Sequence, residues 1–201
     1  ICYISVGGVK LMAEVIKVIG KNAFVQVFES TRGMRVGDEA EFEGHMLEVT
    51  LGPGMLSRNY DGLQNDLDKM EGVFLRRGEY TFPLDNDKLW DFKPLAKVGD
   101  KVAAGGWLGE VDENFQPHKI MVPFTFKGEY TVKSLKEAGQ YTIGEVIAVL
   151  TDEAGKDVEV TMIQRWPVKR AITCYKEKPR PYKLLETGVR TIDTVNPIVE
   201  G

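Results

Sequence analysis

With 201 residues, 43% of them hydrophobic, the chain can bury an ordinary core and suits one or two domains. A net charge of -4 with both signs mixed gives no footprint for nucleic acid or an anionic membrane. No apolar run approaches the roughly 20 residues of a membrane-spanning helix, and there is no signal-peptide pattern. Cys2 and Cys174 lie far apart with no metal-ligand spacing, so both are expected to be free thiols.

Residues 1–6 are apolar and β-branched, and residues 11–19 alternate as a half-buried strand does. Gly20-Lys21-Asn22 supplies a turn, and residues 23–28 return as the partner strand. Gly33, Gly37-Asp38 and Glu43-Gly44 punctuate further short strands at 39–42 and 46–51. Short strands separated by turns predict a small antiparallel β-barrel over 1–56. His45 reads as a surface turn residue, because no other ligand type stands near it.

In the connecting segment 57–96, Leu63, Leu67 and Met70 fall at helical spacing and predict one short amphipathic helix over 61–70. Residues 73–93 scatter aromatics without a period and read as loops and short strands. Val98-Gly99-Asp100-Lys101-Val102 with Leu108-Gly109-Glu110-Val111 is a strand-turn-strand unit, echoed weakly at 138–147. Two such units predict a barrel-sandwich with approximate two-fold symmetry over 97–166, the architecture of biotinyl and lipoyl carriers. Lys119, read as lying at an exposed hairpin tip, is the only carrier lysine available. His118 and Ile120 flank it instead of the methionines or acidic residue such carriers use, which disfavours that alternative.

The segment 167–201 reads as a linker. Its basic cluster (Lys169, Arg170, Lys176, Lys178, Arg180, Lys183) has little aromatic interleaving and reads as a solvated face. Pro167, Pro179 and Pro181 hold the connection extended. Ile192, Val195, Ile198 and Val199 then predict one face of a short helix, preceded by Thr187-Gly188 and ended by Pro197. Such an entry leads toward a larger domain, and the chain is expected to be a piece of something longer.

The pattern Thr187-Gly188-x-Arg190-x-Ile192-Asp193, then Pro197-Ile198 and Gly201, resembles the lead-in to the nucleotide-binding domain of rotary ATPase subunits. The Gly52-Pro53-Gly54 turn and Tyr60-Asp61-Gly62-Leu63-Gln64 are similar to the barrel exit of the catalytic A subunit of V-type and archaeal-type ATPases. His118-Lys119-Ile120-Met121-Val122-Pro123 and Gln164-Arg165-Trp166-Pro167-Val168 resemble the bulge insertion that sets A subunits apart. Against that pattern, Asn65-Asp66 replaces an Arg-Pro pair, and Ala171 to Tyr175 stretches a compact proline-rich connection. The family's first barrel strand is missing ahead of Ile1, which would leave strand edges prone to pairing or aggregation.

The resemblance implies an all-β fragment of a subunit that couples ATP hydrolysis or synthesis to proton or sodium transport. It further implies an alternating hexameric ring with B subunits, contacts with peripheral and central stalks, and a cytoplasmic position on the inner membrane face. Mg-ATP would be the cofactor of the complete subunit. The phosphate-binding pattern G-x-x-x-x-G-K-[ST] does not occur in the sequence: Gly20-Lys21 precedes Asn22, and Gly155-Lys156 precedes Asp157. No catalytic, cofactor-binding or metal residue is therefore expected in these residues. The alternatives are a carrier module and a free-standing protein-binding β-module.

Overall fold

The computed structural model describes residues 1–72, 74–175, 177, 178 and 180–200. Strands β1 (Cys2–Val6), β2 (Val9–Ile19), β3 (Asn22–Val27) and β4 (Ala40–Phe42) form an antiparallel sheet in the order β3-β2-β1-β4. Gly7 and Gly8, at φ 59° and 85°, close the β1–β2 hairpin at a backbone conformation that side chains resist. Alternation puts Cys2, Ile4 and Val6 on one face, against Leu11 and Ala13 of β2. Val15, Val25, Val27 and Met34 complete that small core.

A bulge between Val15 and Lys17 interrupts the β2–β3 ladder. Beyond it the hairpin leaves the core, and Ile16, Val18, Ile19 and Phe24 are all more than half exposed. The expected strands at 1–6, 11–19 and 23–28 are thus present, with the turn at Gly20-Lys21. His45 is exposed, and its carbonyl accepts a 2.5 Å hydrogen bond from the Ile1 ammonium.

Residues 46–51 do not stay with this sheet. Strand β5 (Glu48–Leu51) pairs antiparallel with the last strand of the fold, β14 (Gln164–Pro167), Val49 lying opposite Trp166. The first unit therefore ends near residue 44, short of the expected 56.

The amphipathic helix expected over 61–70 does not form, apart from a single 3-10 turn at Leu67–Lys69. Local side-chain bonds win over helical periodicity here. Asp61 Oδ1 accepts from the amides of Leu63 (2.9 Å) and Asn65 (2.8 Å), and Gln64 sits at φ 63°. Asn65 and Asp66 are buried, at 4% and 1% exposure, and held by Thr81: its amide donates to Asn65 Oδ1, and its hydroxyl accepts from the Asp66 amide. Arg58 (3.4 Å) and Lys69 (3.6 Å) compensate the buried Asp66 carboxylate.

The remaining strands build two four-stranded antiparallel sheets. One contains β6 (Leu89–Pro94), β8 (Trp107–Glu113), β9 (Gln116–Met121) and β11 (Gly139–Thr142), in the order β11-β6-β8-β9. The other contains β7 (Lys101–Val102), β10 (Tyr130–Leu135), β12 (Ala148–Thr151) and β13 (Asp157–Val160), in the order β13-β12-β10-β7. Strand β8 feeds two clusters through opposite faces. Val111 packs with Leu84, Trp90, Phe92, Ile120, Ile143, Ile147 and Met162, while Leu108 packs with Val122, Val132, Ala148, Leu150 and Val160. Leu135 touches both clusters.

Because Leu84, Trp90 and Phe92 lie in this core, the second unit begins well before the expected residue 97. Gly109 is required here: a Cβ on it would stand 2.2 Å from the Phe92 ring. The weak internal echo is realised as turn chemistry. Asp100 Oδ2 accepts from the Lys97 amide at 2.8 Å, and Glu145 Oε1 accepts from the Thr142 amide at 2.9 Å, each closing a four-residue turn.

The one α-helix among the described residues, α1 (Arg190–Val195), is shorter than its apolar pattern predicts. Ile198 and Val199 lie beyond it, Val199 bridging to Leu184. Pro197 stops the helix, and none of its residues is buried. The fold is all-β in class.

Candidate functional site: a buried carboxylate clasp

The turn after β5 and the β8–β9 hairpin meet at Glu113. Gly52 admits no side chain, since a Cβ would lie 2.7 Å from Ile163 Cγ2, and Gly54 sits at φ 103°. Between them Pro53 is buried. The turn so shaped aims the Gly54 and Leu56 amides at Glu113 Oε1, at 2.7 and 2.9 Å. Oε2 accepts from Nδ1–H of His118 at 2.8 Å. Glu113 is only 2% exposed, so three donors satisfy a carboxylate removed from water.

His118 therefore has a structural partner and is not the free side chain of an exposed hairpin. Lys119, its neighbour, lies in mid-strand opposite Glu110, with which it forms an ion pair, and its ammonium lies 5.0 Å from the centre of the Trp107 ring. That hydrogen bond from Lys119 holds the Glu110 carboxyl below the usual carboxylate range. The hairpin tip is Asn114-Phe115, both at positive φ. A carrier lysine must stand at the tip, so this geometry opposes the carrier alternative.

The other signature residues extend the same region or stand apart from it. Pro123 follows β9 and its carbonyl closes a turn with the Phe126 amide at 3.0 Å. Trp166 stacks edge-on against Phe124, with centroids 5.7 Å apart, and Pro167 lies opposite Glu48. Thr187, Gly188, Arg190 and Asp193 form a separate cluster around α1. Asp193 accepts from the Thr187 hydroxyl (2.6 Å), the Thr187 amide (3.1 Å) and the Gly188 amide (3.0 Å). The Thr187 hydroxyl, then the two amides, hold its carboxyl below the ordinary aspartate range. Arg190 opens the helix and its carbonyl accepts from the Thr194 hydroxyl. Among the described residues no hydrogen bond or ion pair joins this cluster to the Glu113 clasp.

Of the basic cluster, Lys169 pairs with Glu14 and Lys183 with Glu200, each lysine side chain more than 60% exposed. Lys176 and Pro179 lie outside the described residues. Cys2 and Cys174 are both free.

Glu113 is absent from the residues singled out by sequence, although a signal was present. Gly109, Val111 and Glu113 share one parity on β8, so a strand that buries Val111 also turns Glu113 inward. An inward carboxylate demands donors, and the glycine-rich turn supplies two.

The residues present do not fit Mg-ATP. Gly20-Lys21 is a β-hairpin turn and Gly155-Lys156 joins β12 to β13, so neither opens a helix toward a phosphate. Among the described residues, no three His, Cys, Asp or Glu side chains are grouped as metal ligands. The clasp itself satisfies every polar group it buries, and its chemistry is that of a fastener.

Residues 1–44 match the beta-barrel domain of the ATP synthase alpha/beta family, and residues 81–169 match the ATP synthase alpha/beta subunit barrel-sandwich domain. The V-type ATP synthase alpha chain of Treponema denticola is 46% identical over 202 aligned residues, covering 99% of this chain and 34% of that relative. The corresponding chain of Borrelia garinii is 45% identical, covering all of this chain and 36% of its own length. That of Protochlamydia amoebophila is 42% identical, with 100% and 34% covered. The chain thus spans about a third of the length of the curated relatives it matches. With both domain models matched in order and its whole length aligned, the chain belongs to the ATP synthase alpha/beta family, within its V-type alpha-chain branch.

Proposed function

We propose that these residues are a non-catalytic part of the catalytic A subunit of a V-type ATP synthase or ATPase. The complete subunit would couple ATP hydrolysis or synthesis to proton or sodium transport, with Mg-ATP held by residues outside this chain. The N-terminal sheet would contribute to an alternating ring with B subunits. The sandwich would present a surface to the peripheral stalk, on the cytoplasmic face of the membrane. The observation that supports this reading most is the alignment of the entire chain, sandwich included, with V-type alpha chains. The Glu113 clasp accords with a structural role, since it fixes the β8–β9 hairpin to the turn that follows β5.

Two experiments test the proposal. Co-expression with the B subunit of the same organism should yield a complex that co-elutes on size exclusion, and separate elution at every ratio would reject the ring-assembly role. Sequencing some forty codons past Gly201 should reveal a glycine-rich loop ending in Gly-Lys-Thr or Gly-Lys-Ser, and a stop codon there would reject the catalytic parent.

A further inference from the structure

We propose that residues 171–175 form a strap that pins the segment leaving the sandwich onto the turn between β7 and β8, with Cys174 as its anchor. This goes beyond the functional reading above and does not depend on it. Three observations carry it. First, the chain reverses after β14: the Arg170 amide donates to the Pro167 carbonyl at 3.1 Å, and Trp166 Nε1 donates to the Arg170 carbonyl at 2.9 Å. Second, the turn it meets is Ala103-Ala104-Gly105-Gly106, the smallest side chains available, braced by Gly105 N–H to Val122 O (2.9 Å) and Val122 N–H to Gly106 O (2.8 Å). Third, Cys174 fills the space over Gly105, where an added Cβ would lie 3.3 Å from Sγ and 3.6 Å from the Cys174 carbonyl.

Ile172 and Tyr175 reach over the same surface, lining an open, largely apolar cleft of about 510 Å³ with Trp107, Met121 and Phe124. After the turn at 167–170, residues 171–175 fold back on the sandwich before the chain proceeds. The strap therefore restricts how residues 180–183 move relative to the sandwich.

The test is thiol alkylation with iodoacetamide, read peptide by peptide, in the intact chain. Cys174 should react about tenfold more slowly in the native protein than in the urea-unfolded chain, as a group opened only by local unfolding does. Ile172→Asp and Gly105→Val should each raise its native rate about fivefold while Cys2, in the N-terminal core, stays protected. Trypsin should cut faster after Lys183 in both variants. Native alkylation of Cys174 at the unfolded rate would overturn the strap. So would an unchanged rate in Ile172→Asp, which is the deciding variant if Gly105→Val costs Cys2 its protection.

Discussion

The two β units solve the burial problem differently. The sandwich sets two sheets around its own side chains, and β8 feeds both of its clusters from opposite faces. The N-terminal sheet has one small core and leaves the far end of the β2–β3 hairpin in water. It is completed by groups from elsewhere in the chain. Tyr80 donates to Glu29 and accepts from the Met12 amide, the Gly78 amide donates to Glu29, and Lys169 pairs with Glu14. A unit with its own core needs few such ties, whereas a thin sheet depends on them.

The comparison is broken most severely in the sandwich core. Phe92→Ala should cost about 3–5 kcal/mol, because the ring is fully buried and Gly109 is already pressed against it. Urea unfolding followed by tryptophan fluorescence should show the sandwich transition moving, since Trp90, Trp107 and Trp166 stand in β6, β8 and β14. Glu113→Ala comes next, at about 3 kcal/mol, since it strands the Gly54 and Leu56 amides and His118 together. Hydrogen exchange at those two amides should accelerate before any global loss. Glu113→Gln, which keeps an acceptor, should sit between the variant and the parent.

The tie of the thin sheet is sharper still as a test, because it is local and titratable. Tyr80→Phe should cost about 1–2 kcal/mol and act on the N-terminal sheet alone. Burial, then the hydrogen bond to Glu29, pushes the Tyr80 hydroxyl well above the ordinary tyrosine range. The folded state therefore keeps its proton more tightly than the unfolded chain. Stability from this group is complete below about pH 10 and declines as pH rises past that unfolded value. Alkaline titration of the exchange rate at Met12 should show that decline in the parent and none in Tyr80→Phe.

How much of this was legible follows the reach of the interactions involved. The β1–β2–β3 meander reads directly from alternation and from Gly20-Lys21, because each contact is close in sequence. Strand β5 reads as a strand from 46–51, but its pairing does not, since its partner Gln164–Pro167 lies more than a hundred residues away and nothing local marks it. The segment 61–70 misleads because Leu63, Leu67 and Met70 keep helical spacing while Asp61 captures the amides a helix would need. In the site, the glycines of 52–54 and His118 were visible as a family pattern, but Glu113 looked like one more charge in a polar hairpin. Only parity along β8 distinguishes it from Asp112, which points to solvent.

The smallest effect belongs to the C-terminal cluster, where neither kind of burial operates. Asp193, half-buried, holds the Thr187-Gly188 turn with hydrogen bonds from exposed groups, and α1 has no side-chain cap at Val189. Asp193→Asn should fray α1 without shifting either unit's unfolding transition. Because the folded carboxyl is held below its ordinary value, the turn's stabilisation is present above that value and fades as pH falls through the folded one. The Gly188 amide resonance should report it: an acid-dependent shift in the parent, absent in Asp193→Asn, with the resonances of β8 unmoved. A simultaneous shift in β8 would mean that the C-terminal cluster leans on the sandwich. The strap at 171–175, which lies between them, would be the connection to examine.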